Sequence, residues 1–286
     1  DTIALSDRWR LNLGLSHEKR DAKEVYYWPT GATSATNGLA RLSYALTQQG
    51  DEVYAVLSHK TRFPTIKDRY SARMGSALPN PDLKPDESLN LEAGLKGRPW
   101  AGARGHAAVF YSRIDNLMQS MNIVPVSLCN QPGLSAATSC TQLQNIAEAR
   151  HAGIELSIDQ DLGHGWQVGG NYTYLDRENR SSDKPLTDTP RNRVFAYASW
   201  KPADRWELLG SAEAENGRMV AYGSGNLASY QTLSGFALAH GKLRYQPTRQ
   251  LTLEAGVNNL FDANYQLADG YPMPGRTWFV NGSYAF

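Results

Sequence analysis

Glu213 and Glu215 recur at period 2 inside a strand-like run, so both carboxylates share one face and have the residue types of an acid/base pair. Two acids on a solvated wall would give the same pattern. Six histidines are scattered without ligand spacing, and Met118 and Met121 with Cys129 offer soft donors of the kind copper prefers, or simply a loop that carries two methionines. No G-x-S-x-G elbow, H-E-x-x-H pair or phosphate-binding glycine loop is present. The expectation is a protein that is not an enzyme and holds no resident metal or cofactor. Two clusters point to binding instead. Tyr26, Tyr27 and Trp28 form a run of rings able to stack on a planar group, and Arg62, Lys67, Arg69 and Arg73 surround Tyr70 with charge that draws in anions. Solvated loop decoration is the alternative for each. Cys129 and Cys140 flank Gln131-Pro132-Gly133, a spacing that suggests a disulfide in an exported chain.

The elements that would carry these residues are strands. Apolar and polar residues alternate in Trp9, Leu11, Leu13 and Leu15 against Arg10, Asn12, Gly14 and Ser16, and again in Trp166, Val168, Gly170, Tyr172 and Tyr174. Leu251, Leu253, Ala255 and Val257 repeat it, and helical periodicity is sustained nowhere. Such runs number about twelve, near 7–18, 38–47, 52–60, 86–96, 105–116, 145–160, 165–176, 192–201, 205–214, 232–246, 250–260 and 276–286. The run near 233–245 does not hold one alternation, since Phe236 and Leu238 oppose Leu233 and Leu243.

Short connections near 47–51, 161–164, 202–204 and 247–249 alternate with long ones near 19–37, 61–85, 117–144, 177–191, 215–231 and 261–275. That one-sided layout is expected of an outer-membrane β-barrel, whose short turns face the periplasm. Trp9, Trp166 and Trp206 open strands that leave short turns, while Trp200, Tyr245 and Phe286 close strands that arrive at that side, so six rings would share one height. A membrane interface favours such a girdle. A soluble sandwich with aromatic strand ends is the competing explanation.

Composition agrees with this fold class. Among 286 residues, 41% are hydrophobic and fifteen are tyrosine, yet mean hydropathy is −0.50 and no window supplies the roughly 20 apolar residues of a spanning helix. A net charge of +1 leaves no electrostatic footprint for nucleic acid. The first residues, Asp1 to Leu5, lack the basic and apolar regions of a secretory signal, so the leader was removed or the chain is an internal piece.

The chain also resembles a known family. Val257-Asn258-Asn259-Leu260-Phe261-Asp262 followed by Tyr265, Gly270 to Arg276 and a closing strand Trp278 to Phe286 are similar to the C-terminus of TonB-dependent receptors. Further matches are Asn80-Pro81-Asp82-Leu83-Lys84-Pro85 leading to Glu87 and Glu92-Ala93-Gly94, the run Asn145 to Leu156, and Pro185 to Arg191. They span most of the chain in the family's order. The resemblance implies an antiparallel transmembrane β-barrel in which residues 1–286 supply about twelve C-terminal strands of about twenty-two, with the plug domain and the N-terminal barrel strands absent. It further implies a bacterial outer-membrane location, lipid around the barrel and contact with the TonB complex through the missing plug. Trp278, Val280, Gly282, Tyr284 and Phe286 then resemble the signal read by the barrel-assembly machinery.

On this resemblance Tyr26, Tyr27 and Trp28 would stack on an iron chelate or catecholate, and Arg62, Lys67, Arg69, Tyr70 and Arg73 would attract an anionic metal complex. Haem receptors of the family place a histidine between a Phe-Arg-Ala-Pro-like segment and the Asn-Pro box. Arg62-Phe63-Pro64-Thr65 departs from that segment and no histidine follows before Asn80, which ranks haem low. The function implied is TonB-energised uptake of a scarce nutrient, first a ferric siderophore, with cobalamin or another metal complex behind. The alternatives are a passive porin and a secreted all-β carbohydrate-binding or hydrolase domain.

Overall fold

The computed structural model describes residues 1–25, 28–72, 77–122, 140–181, 183, 185–222 and 229–286. In chain order its elements are β1 (Thr2–Ala4), β2 (Trp9–Asp21), β3 (Ala32–Ala45), β4 (Glu52–Arg62), α1 (Ile66–Tyr70), β5 (Ala77–Leu78), β6 (Asp86–Gly97) and β7 (Ala103–Asn122). Then come β8 (Thr141–Gly163), β9 (Trp166–Asn179), β10 (Asn192–Ala203), β11 (Trp206–Glu215), β12 (Arg218–Tyr222) and β13 (Ser229–Leu233). The chain ends with β14 (Phe236–Tyr245), β15 (Leu251–Asn258), β16 (Gln266–Ala268), β17 (Tyr271–Pro272) and β18 (Thr277–Tyr284). The long strands form one sheet in the order β1-β2-β3-β4-β6-β7-β8-β9-β10-β11-β14-β15-β18, each antiparallel to its neighbour, and β5 adds a short parallel pairing to β8.

Each expected strand segment overlaps one of these strands, but several run further. β3 starts at Ala32 and β8 extends over Thr141–Gly163, because Thr33-Ser34-Ala35-Thr36 and Gln142-Leu143-Gln144 carry little apolar alternation to announce them. Part of the conflict near 233–245 is a strand break, and part persists within β14, where Leu243 takes the apolar face and Phe236 and Leu238 the polar one. Leu233 ends the separate β12–β13 hairpin, whereas Phe236 starts β14, so the two never shared a strand. On the polar side of β14, Leu238 is buried and the Phe236 ring lies 4.5 Å from that of Tyr265.

Register aligns the apolar residues into unbroken rows. Leu11, Leu42, Ala55, Ala93, Val109, Ile154 and Tyr174 are successive cross-strand partners from β2 to β9. Trp166, Trp200, Leu208, Leu243, Ala255 and Val280 continue the same face from β9 to β18. Leu15, Leu57, Leu91, Ile154 and Val280 are exposed on it, as a wall bathed in hydrocarbon requires. At the short-turn end rings pair between strands: Trp9 with Tyr44 at 4.9 Å, Trp166 with Trp200 at 5.3 Å and Trp206 with Tyr245 at 4.2 Å. The turn below β3 is closed by Asp51, which accepts from the Thr47 hydroxyl and the Arg98 N–H; these bonds hold its carboxyl below the usual range.

The opposite face is polar and cross-linked. Tyr54 donates to Glu92 at 2.7 Å, its oxygen lies 2.6 Å from His106 Nε2, and Arg41 sits 4.0 Å above its ring. Lys96–Glu52, Lys242–Glu254 and Arg244–Glu207 pair at 3.1, 3.1 and 3.5 Å. Substitution of Leu91 by Arg, in the middle of the apolar face, is expected to cost about 2–4 kcal/mol of folding into lipid vesicles, the range for a charge at the bilayer midplane. Urea titration of the full-length protein in vesicles measures it; an unchanged midpoint would mean that Leu91 does not meet lipid.

Candidate functional site

The long connections gather at one end of the sheet, and the one between β4 and β6 is described over residues 63–72 and 77–85. Thr65 caps α1 reciprocally with Asp68, each side chain bonding the other's backbone N–H. Arg69 on this turn is 7% exposed, and its guanidinium donates to Leu83 O at 2.6 Å, while its own carbonyl accepts from Asn80 N–H at 2.7 Å. Leu83, 1% exposed, fills the space beneath. The segment from Asn80 to Asp86 is then latched to the β7–β8 hairpin. Asn145 accepts from Lys84 N–H at 2.7 Å and donates to Lys84 O and Asn116 O at 2.9 and 2.7 Å, and Asn80 Nδ2 donates to Leu143 O at 2.8 Å. Asp86 is buried, takes Arg62 Nε at 2.7 Å and accepts Met118 N–H at 3.0 Å.

Of the expected ligand contacts, Arg69 is thus buried with its guanidinium on Leu83 O, while Arg62 stays exposed with its guanidinium held by Asp86. Lys67 is exposed on α1, and Tyr70 lies beside the first long loop with its hydroxyl 3.4 Å from Pro29 O. Trp28 is half-buried, and Tyr26, Tyr27, Arg73 and Cys129 lie outside the described residues. Cys140 is buried and packs against Leu78. Met118 and Met121 stand three positions apart on β7 and so on opposite faces, which separates them as joint metal ligands. Among the described residues no cluster of His, Cys, Asp and Glu could hold a metal ion. Glu213 and Glu215 do share the polar face, but Glu213 lies 3.6 Å from Arg193 and Glu215 pairs with Arg218, which ties both up as structural acids.

A second site was not singled out in the sequence. Arg177 on β9 is directed at the loop that follows and donates to Leu186, Thr187 and Thr189 carbonyls at 3.3, 2.9 and 3.4 Å. Asp188 turns with φ 69 and bonds Met219 O at 2.8 Å, fastening this loop to the β12–β13 hairpin. Between them lies a cavity of about 560 Å³ lined by Arg177, Asn179, Asp183, Arg191, Asn216 and Thr232. Its signal in the sequence was slight: an arginine on the polar alternation of a strand looks like any lumen cation until the loop folds over it. Among the described residues, this end carries the exposed Lys67, the half-buried Trp28 and Tyr70, and the polar cavity under Arg177.

A family model described as "TonB dependent receptor-like, beta-barrel" matches residues 1–260. The iron-regulated outer membrane virulence protein of Vibrio cholerae serotype O1 is 24% identical over 292 residues, which cover 100% of this chain and 43% of that protein. The ferripyoverdine receptor of Pseudomonas aeruginosa is 25% identical over 194 residues, covering 66% of this chain and 23% of the receptor. Among solved structures, the copper transporter OprC superposes with a TM-score of 0.79 at 22% identity, covering 100% of this chain and 47% of that one. At that identity the likeness speaks for fold alone. The chain spans less than half the length of these relatives.

Proposed function

The chain belongs to the TonB-dependent receptor family, a family of the bacterial outer membrane, and on that premise we propose that its parent imports a ferric siderophore by a TonB-energised route. The observation that carries this reading is the family match over residues 1–260, joined to a long-loop end whose loops are latched to the wall by Asn145, Asp86 and Arg177. Latched loops keep recognition groups in place, which lowers the ordering cost of binding. In this reading Lys67, Tyr70 and Trp28, with Tyr26, Tyr27 and Arg73, meet the ligand, while Arg62 and Arg69 hold the loop that presents them.

Residues 1–286 are the C-terminal barrel portion of the receptor in this proposal; a plug contributed by the rest of the parent would engage the TonB complex. The series Trp278, Val280, Gly282, Tyr284 and Phe286 would be read by the barrel-assembly machinery. That Trp278 and Val280 are 73% and 82% exposed at the last strand supports it, since a recognised side chain must be reachable. Uptake of a panel of labelled ferric siderophores by iron-starved cells, with and without the parent gene and with TonB removed, tests the function. Accumulation that needs both is expected. Accumulation that persists without TonB would replace this reading with a passive porin.

Cys129 and Cys140 are proposed to form a disulfide in the third long loop, peripheral to the sheet. Peptide mass mapping of protein purified without reductant should find them linked, and two free thiols would refute the pairing.

A further inference from the structure

Arg177 holds the loop between β9 and β10, and the residue directly opposite it on the neighbouring strand is His151. Cross-strand partners share a face, so both side chains stand on the polar one. Three of the four chain neighbours of the pair, Arg150, Asp176 and Glu178, are charged and point to the other face, which places the pair beyond the hydrocarbon at the long-loop end. The carbonyls of Leu186, Thr187 and Thr189 accept from the Arg177 guanidinium. Pro185, Leu186 and Thr189 also line the cavity of about 560 Å³, so the grip of Arg177 on the loop fixes part of the cavity wall.

Few charges surround the pair. β7 presents Ser112 opposite His151, with Phe110 and Ile114 on either side of it on the same face, and none of the three ionises. On β8 the same face carries Ala149 and Gly153 next to His151, with Glu155 one place further. On β9 Leu175 and Asn179 flank Arg177. From the loop, Asp188 acts on Arg177, while Asp183 and Arg191 line the cavity. Arg177 is the charged group that acts on His151. A proton on His151 would therefore set two cations directly opposite each other, an arrangement that destabilises a strand pair.

We propose that His151 is a pH-sensitive positioning residue, which on protonation opposes Arg177 across the strands, frees residues 185–189 from the guanidinium and opens the cavity they wall. Burial first, and the Arg177 charge second, hold the imidazole below its ordinary value of about 6.5. In the released form the ring is wetter and further from Arg177, so it returns toward that value. The closed form therefore keeps its full advantage above about pH 6.5 and loses it as pH falls through the depressed value. The device acts on the loop itself, so it does not rest on which ligand is imported.

The test is limited proteolysis of the full-length receptor in detergent by proteinase K. Wild type and His151→Gln are cut side by side at each pH, so that the response of the protease to pH cancels in their ratio. At neutral pH both should be cut within residues 180–191 at a similar rate. At about pH 5, below the ordinary histidine range, wild type should be cut about threefold to fivefold faster than His151→Gln, the effect of one opposed like-charge pair. His151→Lys, a fixed cation, should be cut at the faster rate at both pH values. Within wild type, cleavage in 180–191 measured against cleavage in 63–85 should rise by the same factor on acidification, which keeps the test readable if a variant assembles poorly. Equal cutting of wild type and His151→Gln at the acidic pH, or an equal rise in both loops, would overturn the proposal.

Discussion

Gly153→Ala is expected to destabilise the full-length receptor by at least about 1–3 kcal/mol, the cost of forcing atoms into a packed site, whereas Gly210→Ala should be neutral. A Cβ on Gly153 would sit 2.2 Å from Tyr174 O and 2.5 Å from the Phe110 ring, while one on Gly210 meets nothing within 4 Å. The difference reflects a device used repeatedly on the polar face. An aromatic side chain occupies the space where a β-carbon would stand on a glycine of the adjacent strand, Tyr54 at Gly94, Phe110 at Gly153, Tyr197 at Gly169 and Phe279 at Gly256. Each ring shields backbone that glycine leaves bare, and only the missing side chain lets it approach. At Gly153 the nearest atom is backbone, so no rotamer change can relieve the clash. Urea midpoints of the two variants in the same detergent decide the matter. Matching midpoints would show that the rings do not rest on their glycines.

Asn145→Ala should release residues 63–85 from the β7–β8 hairpin without unfolding the sheet. The substitution removes three hydrogen bonds, leaving Lys84 N–H, Lys84 O and Asn116 O without these partners. Stranding such groups costs about 1–3 kcal/mol, and about 1.4 kcal/mol already raises a local opening equilibrium tenfold. Limited proteolysis reports that opening when reclosure is fast. Cleavage within 63–85 should therefore rise by about an order of magnitude, with siderophore affinity falling in parallel if the loop presents ligand contacts. Lys67→Ala, an exposed change on the same loop, is the comparison and should not alter cleavage. If both variants are cut at the wild-type rate, the Asn145 bonds do not hold the loop.

Asn145 also shows why family-like motifs can mislead about function. The segments Asn80 to Pro85, Asn145 to Leu156 and Pro185 to Arg191 carry the resemblance, and the structure gives each a mechanical role: an Asn80–Leu143 tie, an Asn145 latch, a loop gripped by Arg177. Asn259 is similar. It sits at φ 51, is 3% exposed, and its side chain both donates to Ala263 O and accepts from Ala263 N–H at 2.8 Å, closing the turn after β15. The motifs mark where loops are fastened.

The sequence by itself determined the long strands and their two faces, because period-2 alternation and turn chemistry are local and each strand of a membrane wall must satisfy them separately, whereas the short β12–β13 and β16–β17 hairpins lie in segments that read as loops. Trp9 to Leu15 and Trp166 to Tyr174 needed no partner to declare which side meets lipid. Where alternation stops, legibility stopped as well: the polar start of β3, the upper half of β8 and the break between Leu233 and Phe236 became clear only from pairing. The candidate site depended most on tertiary structure. Arg62, Arg69 and Lys67 look alike as basic loop residues, yet Asp86 arrives from β6 to engage the first and Leu83 O closes over the second, leaving Lys67 exposed. Burial and partner are set by segments distant in the chain, so only the folded sheet could show that Arg69 is buried, that the exposed Arg62 is held by Asp86 and that Lys67 stands at the surface.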